Sequence, residues 1–573
     1  MQCNSVAIMK KPRIHLEIQH HRSNPIGLLR TTFRDPVDGK IKHTQHGRIT
    51  GAPLDTLLNV QAALKGEVIR IDDPAAFKVI DSRELGASAA LLDLAKAIGL
   101  PTAIYSRPSE PWVQDILAMI VGRITHQGSK LALSHTWEVS ALWELCGVTG
   151  PVDVDVHCYE AMDRLLERQP AIQKHLAAKH LKDGCIVLYD ITSSYLEGEY
   201  EESELVQFGH NRDGKRGHEK IVIGLLTDAN GCPVAIEVFP GNTQDATTVE
   251  TKIKELKQKY GVKNIVLVGD RGMITKSNEE KMKDLPEAEG VKIISALTHR
   301  QIVEMLAKQD LQPEVFDSKN IVEIIDSKDP ARRYCLCRNP HVAERSAATR
   351  QDLIKKTEEQ LTQIANRKTK GAAAKLGAQV GKVLAKTKMG KFITWAVKDG
   401  RLEWSVKVDA VAAEAALDGC YVIKATVPTT DMNKESVVAR YKSLQQVEQA
   451  FRNMKTVKLE LRPIYHRKDD RIKAHAFLCM LAYYLLWHMT ERLEPFFSEQ
   501  EEGIKQGRLE LKDRRWTVAS VLEALKTRRR NVITCQGQQF TQDMEPNETQ
   551  ARILALLRTA PPTPTEMSGE KAA

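Results

Sequence analysis

Two aspartates stand directly after short apolar runs that predict buried strands. Residues 186–189 precede Asp190, and residues 265–269 precede Asp270. A carboxylate in this position is costly unless it coordinates a cation, pairs with a base or caps the following turn. For either aspartate alone, capping is the ordinary explanation. Together the two offer the oxygen ligands that a hard cation such as Mg²⁺ takes.

A third carboxylate lies on a predicted helix over residues 434–454. Tyr441, Glu448 and Lys455 follow one another at intervals of seven residues, so they share one face of a helix. Glu448 borders the apolar stripe of this helix, where a carboxylate is less expected than on the solvent side. The alternative explanation is an ordinary ion pair with Arg452 at position i+4.

The elements between the two aspartates predict how these side chains meet. The sequence predicts a first strand at 185–190, strands at 220–226 and 234–239, a helix at 247–260 and a fourth strand at 264–270. The 80 residues from Asp190 to Asp270 (270 − 190) leave room for that hairpin and helix. In this order the first and fourth strands lie side by side, so both carboxylates meet at one edge of the sheet.

Several segments together resemble one family. The run Tyr441-x2-Leu444-x3-Glu448-x6-Lys455 resembles the Tyr-x2-Arg-x3-Glu-x6-Lys signature of cut-and-paste insertion-sequence transposases of the DDE class, and matches it at three of four positions. The other matching segments are 189–193 and 268–273, around the two aspartates, and 241–243, after the third strand. The resemblance spans roughly residues 185–493. The long interval from Asp270 to Glu448 is typical of the subgroup with a large β-rich insertion.

The resemblance implies a fold and an activity. The fold is an α/β RNase H-like catalytic core, a mixed sheet flanked by helices, interrupted by an α+β insertion. Asp190, Asp270 and Glu448 would be catalytic and would bind Mg²⁺, for which Mn²⁺ can substitute. The implied enzyme is a DDE transposase that binds the terminal inverted repeats of an insertion element, cleaves DNA by phosphodiester hydrolysis and joins the 3′-hydroxyl ends to target DNA. Synapsis of two ends implies a homodimer.

The same resemblance implies contacts with DNA. Lys455 would contact a phosphate and Tyr441 the DNA backbone. Leu444 replaces the arginine of the signature, and Arg452 or a neighbouring cation would supply the missing charge. Trp404 would stack on a flipped base, as an insertion tryptophan does in relatives. The ordinary alternatives are a surface lysine, a core tyrosine and a core tryptophan.

The periodicity divides the chain into six segments, and the resemblance supplies the names of the DNA-binding domain and the RNase H-like core. They are an N-terminal β-hairpin region at 1–60, a helical DNA-binding domain at 61–182, the first part of the RNase H-like core at 183–312, a β-rich insertion with a basic helix at 313–430, the last part of the core at 431–498, and a basic C-terminal region with a flexible tail at 499–573. A small β-hairpin region and a mainly helical domain are therefore expected before the catalytic core.

Composition narrows the class of protein only modestly. Lys and Arg total 83 against 74 Asp and Glu, a net charge of +9 that suits a polyanionic partner without requiring one. The ten cysteines are scattered, which predicts reduced core residues. The longest apolar stretch, 476–487, is too short to span a bilayer. We therefore expect no membrane association and a cytoplasmic, prokaryotic protein that joins the nucleoid when it binds DNA.

Two other functions remain open from the sequence. The chain is alternatively a transposase-derived DNA-binding protein without catalysis, or a plain metal-dependent nuclease with an RNase H-like fold. The complete set of three carboxylates disfavours the first alternative, although Leu444 keeps it open. The large insertion and the multidomain length disfavour the second.

Overall fold

A computed structural model describes most of the chain. The described residues are 14–20, 25–35, 38–66, 77–209, 217–283, 286–308, 316, 320–326, 329–366, 372–457, 459–508, 516–535 and 538–559. The chain divides into two compact units. The first comprises Met1–Ser82 and Arg530–Asp543, and the second comprises Arg83–Arg529 and Met544–Ala573.

The first unit opens with an antiparallel sheet covered by one helix. Its elements are β1 (Ile14–His20), β2 (Pro25–Arg34), β3 (Ile41–Ile49), α1 (Leu54–Lys65) and β4 (Phe77–Glu84). Strands β1, β2 and β3 pair in that order. Gly27 lets α1 approach the sheet, because a Cβ there would lie 2.9 Å from Cδ2 of Leu57.

The second unit begins with six helices. They are α2 (Gly86–Ala97), α3 (Leu100–Ile104), α4 (Pro111–Thr125), α5 (Lys130–Ser134), α6 (Leu142–Leu145) and α7 (Ala161–His180), with a 3₁₀ turn at His135–Glu138 and a π-helical turn at Asp155–Glu160. Most of α4 is buried on all sides, as is typical of a core helix. These helices share one continuous apolar core with the sheet that follows.

The second unit is built on a mixed sheet whose first five strands are consecutive in the chain. The elements are β5 (Cys185–Tyr195), β6 (Lys220–Asp228), β7 (Pro233–Pro240), α8 (Asp245–Lys254), a π-helical turn (Glu255–Lys259), β8 (Ile265–Gly269), α9 (Lys276–Lys283), a 3₁₀ turn (Pro286–Ala288), β9 (Val291–Ala296) and α10 (His299–Ala307). Strand β5 is antiparallel to β6 and parallel to β8, so the first and fourth strands are neighbours, as predicted. Strand β9 lies where we predicted no strand.

The next region both extends this sheet and adds a helical subdomain. The elements are β10 (Val322–Ile325), β11 (Arg333–Arg338), α11 (Pro340–Ala365), α12 (Ala373–Thr387), a 3₁₀ turn (Gly390–Phe392), β12 (Ile393–Lys398), β13 (Arg401–Val406), α13 (Val408–Ala416) and β14 (Cys420–Ala425). The complete order of the large sheet is β10-β11-β14-β9-β8-β5-β6-β7.

The predicted insertion at 313–430 therefore contains more helix than we expected. Helices α11 and α12 span 26 and 15 residues and pack with the β12–β13 hairpin around a small core of their own. Both are rich in Ala, Lys and Gln, which favour helix. Strands β10, β11 and β14 belong to the main sheet and not to that subdomain.

Three helices complete the part of the unit that surrounds the sheet. They are α14 (Lys434–Lys442), α15 (Leu444–Arg452), which continues into a π-helical turn (Asn453–Val457), and α16 (Asp469–Lys505). The helix predicted over 434–454 is thus divided at Ser443, whose hydroxyl donates to the carbonyl of Arg440 at 2.6 Å. Helix α16 packs against α4, α7 and β7. No helix in the described part of the chain is long and apolar enough to cross a membrane.

The C-terminal elements are divided between the two units. They are α17 (Val518–Lys526), β15 (Arg529–Cys535), β16 (Gln538–Asp543) and α18 (Glu548–Arg558). Both helices belong to the second unit, and the β15–β16 hairpin belongs to the first. Strands β16 and β15 form a three-stranded sheet with β4. Local periodicity does not predict a pairing between segments about 450 residues apart in sequence, since loop length sets no preference for a partner. Residues 560–573 of the predicted tail lie outside the described residues.

A buried ion-pair network lies next to β5. Lys252 of α8 is 2% exposed and pairs with Glu237 at 3.1 Å and with Glu255. Its ammonium lies 5.8 Å from the ring centroid of Tyr189, the residue before Asp190. Burial works against the charged form, but the two glutamates raise the pKa of Lys252 above its ordinary value. The lysine is therefore charged at neutral pH.

Replacing this lysine should destabilise the second unit. In Lys252→Met, Glu255 stays buried and keeps only its longer pair with the exposed Lys259 at 3.5 Å, and we expect the free energy of unfolding to fall by about 3–5 kcal/mol. The matched variant Lys254→Met on the same helix removes a half-exposed pair with Glu250 and should cost less than about 1 kcal/mol. Urea denaturation followed by tryptophan fluorescence measures both. Equal losses in the two variants would contradict a special role for the buried network.

Candidate active site

Asp190 and Asp270 occupy equivalent positions on two neighbouring parallel strands. Tyr189 of β5 is paired with Gly269 of β8, so the residue after each is an aspartate at the same level of the sheet. Because side chains alternate along strands, equivalent positions point to the same side. Asp190 is half-buried, and Asp270 is exposed. The structure therefore places the two aspartates side by side, as the sequence predicts. Asp190 does not end its strand as we expected, however, because β5 continues to Tyr195.

Backbone amides hold both carboxylates in place. Oδ1 of Asp190 accepts from the amide of Ile191 at 2.8 Å, and Oδ1 of Asp270 accepts from the amide of Arg271 at 2.7 Å. The carbonyl of Asp270 accepts from the amide of Met273 at 3.0 Å, which closes a tight turn. Each carboxylate thus accepts from the amide of the residue that follows it, so the ordinary explanation for each aspartate, capping of the following turn, is present in part.

Tyr441 links the helix pair α14 and α15 to Asp270. Its hydroxyl lies 3.4 Å from Oδ1 of Asp270, at the long end of the hydrogen-bonding range. Burial, followed by the negative charge of Asp270, raises the pKa of the Tyr441 phenol to about 12, and the charge of Glu448 raises it further. Tyr441 therefore stays protonated at neutral pH. Because the charges of both carboxylates act on the pKa of Tyr441, Asp270 and Glu448 both lie near this residue.

Glu448 is exposed on α15, which packs against β5 and β6. The alternative explanation for this residue was an ion pair with Arg452. Within the described part of the chain, neither Glu448 nor Asp270 forms an ion pair with a Lys, Arg or His side chain. Carboxylates without a cationic partner favour the arrival of a cation.

Leu444 is buried at 8% exposure and packs in the main core. This is the position at which the signature has an arginine. Leu444 is the first residue of α15 and lies on the buried side of that helix together with Val447 and Phe451. The position is therefore a packing residue in this chain, and the charge it would carry in the signature is absent there.

Lys455 is buried and braces β5, although a phosphate contact was expected. Its ammonium donates to Oγ1 of Thr192 and to the carbonyl of Ser193, both at 2.5 Å, and its side chain is only 7% exposed. Thr192 lies two residues after Asp190 on the same strand. Arg452, in contrast, is exposed one turn after Glu448.

Trp404 lies in the helical subdomain, and none of the three carboxylates lies on an element of that subdomain. It pairs across the β12–β13 hairpin with Trp395 and is half-buried against the small core of Leu361 and Val380. Trp395 presents more of its ring, with 38% exposed. The more exposed of the two paired tryptophans is thus not the one that we predicted to contact DNA.

The structure also brings together three potential metal ligands that the sequence did not indicate. His180, Cys232 and His488 have ligand atoms that all lie within 4.8 Å of one another. Among the described residues this is the group that meets that distance, and Asp190, Asp270 and Glu448 do not. The sequence separations of 52 (232 − 180) and 256 (488 − 232) residues form no motif, so only the fold could identify this group.

Lys130, which has no carboxylate partner among the residues that the structure describes, is buried beside His475 of α16. The ammonium of Lys130 lies 2.5 Å from Nδ1 of His475, whose Nε2 lies 3.0 Å from the carbonyl of Leu461. Burial, reinforced by the charge of Arg123, lowers the pKa of Lys130 to about 7. Arg471, one turn before His475, pairs with Asp163 at 3.3 Å. Arg471 and His475 therefore have structural partners.

This buried lysine should make stability depend on pH. The folded pKa of Lys130 is about 7 and its ordinary value 10.5, so between these values the unfolded chain binds more protons. The stability of the wild-type protein should therefore rise with pH above about 7, relative to the Lys130→Met variant. Midpoints of thermal unfolding for both proteins, measured at about pH 7 and about pH 9, test this. Parallel profiles of the two proteins would contradict it.

Comparisons with known proteins identify the family. The model of the transposase DDE domain family matches residues 182–485, which is 304 of the 573 residues (485 − 182 + 1). All three carboxylates lie in the matched region. Comparison with curated proteins gives no match.

A likeness to a solved structure is more distant. A cryo-EM structure of a piggyBac transposase synaptic complex with hairpin DNA aligns with 73% of this chain and 70% of its own chain, at 8% identity and a TM-score of 0.34. A likeness at that score supports no argument about this chain. The family model alone covers more than half of the sequence and confirms the resemblance stated above. The chain therefore belongs to the family of transposases with a DDE domain.

Proposed function

We propose that this transposase cleaves DNA by metal-dependent phosphodiester hydrolysis and joins the 3′-hydroxyl ends of an insertion element to target DNA. Asp190, Asp270 and Glu448 form its active site on an RNase H-like core. The observation that carries the proposal is the parallel register of β5 and β8, which aligns two carboxylates at one sheet edge. The adjacency of the first and fourth strands is the order expected of that core.

The donor set suits a hard divalent cation. Three carboxylates provide only oxygen ligands, which Mg²⁺ and Mn²⁺ prefer. Asp270 and Glu448 have no cationic partner among the described residues, so a bound cation would offset a charge that the protein leaves uncompensated. The cation would supply an activated water or 3′-hydroxyl and would stabilise the leaving oxygen at phosphorus.

The surrounding residues position these carboxylates. Tyr441 is protonated and directs its hydroxyl to Asp270, which limits the rotation of that carboxylate. Lys455 fixes the strand immediately after Asp190 through Thr192 and Ser193. Both contacts keep the metal-binding oxygens in a narrow range of positions. Residues that hold metal ligands in place without touching the metal contribute strongly to metal affinity.

DNA would approach the site along the exposed side of α14 and α15. Arg440, Lys442 and Arg452 are exposed there and would contact phosphates in place of the arginine missing at Leu444. Tyr441 would pack against the DNA backbone, and Lys455 would reach a phosphate only after it leaves Thr192. Trp404 of the β12–β13 hairpin would stack on a flipped base, although its half-buried position makes Trp395 an equal candidate.

Other parts of the chain would contact the DNA of the element end outside the cleavage site. Helix α12 exposes Lys375, Lys382 and Lys386 opposite its apolar side, which suits the backbone of DNA. The helical domain at 61–182 would bind the terminal inverted repeats, and two copies of the chain would hold two ends together as a homodimer.

Strand transfer separates a transposase from a plain nuclease with the same fold. Purified protein is incubated with a pre-cleaved element end, a target plasmid and Mg²⁺. Joined products support the proposal. Nicked plasmid without joined ends would indicate a nuclease, and bound but unchanged DNA would indicate a DNA-binding protein without catalysis.

Removing one carboxylate should abolish both reactions. We expect Asp270→Asn and Glu448→Gln to lower cleavage and joining by more than the 10–100-fold typical of residues that only support metal ligands. The control Glu435→Gln changes an exposed glutamate at the start of α14 and should leave both rates unchanged. Gel assays of cleavage and joining measure the rates. Wild-type rates in either carboxylate variant would overturn the proposed site.

Tyr441→Phe should weaken the use of the metal without eliminating activity. The variant loses the hydroxyl beside Asp270 while it keeps the ring, so we expect the Mg²⁺ concentration for half-maximal cleavage to rise by about 10–100-fold. The control is Tyr465→Phe, since Tyr465 is 68% exposed. Cleavage rates over a Mg²⁺ titration give the comparison. An unchanged titration curve for Tyr441→Phe would exclude the positioning role.

A further inference from the structure

Three elements of the second unit converge on a small cluster of nitrogen and sulfur ligands. His180 is the last residue of α7, Cys232 lies in the turn between β6 and β7, and His488 belongs to α16. The Cys232 sulfur lies 4.0 Å from Nε2 of His180, and the two imidazole centroids are 5.8 Å apart. All three ligand atoms lie within 4.8 Å of one another.

The turn that carries Cys232 is held firmly. Oδ1 of Asp228 accepts from the amides of Asn230 at 2.8 Å and Cys232 at 2.9 Å. Gly231 adopts a φ of +81° between them, a conformation that favours glycine. The indole of Trp487 donates to the carbonyl of Asn230 at 3.2 Å, which ties the turn to α16 one residue before His488. The ligands thus sit on elements that fix one another.

One ring nitrogen of the cluster lacks a hydrogen-bond partner. Nε2 of His488 is buried and has no hydrogen-bond partner within the described part of the chain. Cys232 is fully buried and unoxidised. The hydroxyl of Tyr484, a buried residue one turn before His488, lies 2.9 Å from Nε2 of His180. A buried ring nitrogen without a partner is costly, and a metal ion would supply that partner.

We propose that His180, Cys232 and His488 bind one transition-metal ion of the zinc class. Imidazole and thiolate are the ligands that Zn²⁺ prefers, at about 2.0–2.1 Å for nitrogen and about 2.3 Å for sulfur. Ligands at those distances around a tetrahedral ion lie roughly 3.5 Å apart. The three ligand atoms, which lie within 4.8 Å of one another, would therefore approach one another by at most about 1.3 Å on binding the ion. The Tyr484 oxygen or a water fills the fourth position, and the Cys232 thiol loses its proton on binding.

This site is separate from the carboxylate site in place and in chemistry. The turn after Asp228 lies level with the start of β5, because Asp228 is paired with Val187. Asp190 lies three residues beyond Val187 on β5, and Asp270 directly follows the last residue of β8, so both lie further along the strands than that turn. The carboxylates offer only oxygen, which suits Mg²⁺, whereas sulfur and imidazole select zinc-like ions. The inference does not depend on the proposed function.

An ion at this position would fasten the sheet to two helices. It would join α7 and α16 to the β6–β7 hairpin, which pairs directly with the strand that carries Asp190. A metal that binds only the folded state stabilises it by mass action. The site is therefore structural, and it secures the platform of the active site from the side away from DNA cleavage.

Cobalt replacement tests the site directly. The reduced full-length protein is stripped with a chelator and titrated with Co²⁺, and the spectrum is recorded. We expect one Co²⁺ per chain with a thiolate charge-transfer band in the near ultraviolet and tetrahedral bands in the visible, both lost on addition of Zn²⁺. Absence of the thiolate band in the wild-type protein would overturn the proposal without any variant.

Variants assign the band to these residues. Cys232→Ser and His488→Gln should lose it, whereas Asp190→Asn should retain it because the carboxylate site has no sulfur. The matched control is Cys335→Ser, which changes another fully buried cysteine of the same sheet and should retain the band. Retention in Cys232→Ser, or loss in Cys335→Ser as well, would place the metal elsewhere. If Cys232→Ser does not fold, His488→Gln and the wild-type titration still decide.

Discussion

The parallel pairing of β5 with β8 is the constraint on which the rest of the second unit depends. Its register opposes Tyr189 to Gly269, and this match alone sets Asp190 and Asp270 at one level. A slip by one residue would turn one aspartate to the other face of the sheet. The antiparallel partner β6 and the buried Lys252 network hold β5 in that register from the other sides.

The proposed active site contains negative charge that no cationic side chain compensates. Asp270 and Glu448 are exposed and lack a cationic partner among the described residues, while a few residues away Lys252 and Glu255 satisfy each other in the core. Tyr441 is protonated and therefore neutral, so its hydroxyl approaches Asp270 without cancelling the charge of that carboxylate. Negative charge without a cationic partner favours the approach of a cation.

The region between Asp270 and Glu448 serves two structural purposes. Strands β10, β11 and β14 extend the central sheet, whereas α11, α12 and the β12–β13 hairpin form a separate small core. The sheet extension gives α14 a surface to pack on, since this helix contacts β11 and β14 as well as β8 and β9. The strands from the inserted region thus help to position Tyr441, and the helical subdomain remains available for other contacts.

The sequence by itself determined the apolar strand segments that lead into Asp190 and Asp270, the adjacency of those strands and the family, because these follow from local apolar runs and short motifs. It did not determine that β5 continues past Asp190 to Tyr195. It also indicated the helices that carry Tyr441 and Glu448. It did not determine that Ser443 divides that helix, that Leu444 is buried or that Lys455 braces β5, since each depends on which face meets the sheet. Strand β9, the pairing of β15 with β4 and the cluster of His180, Cys232 and His488 were decided only by tertiary structure. In each case the partners are distant in sequence, and local patterns carry no information about contacts that long loops bring together.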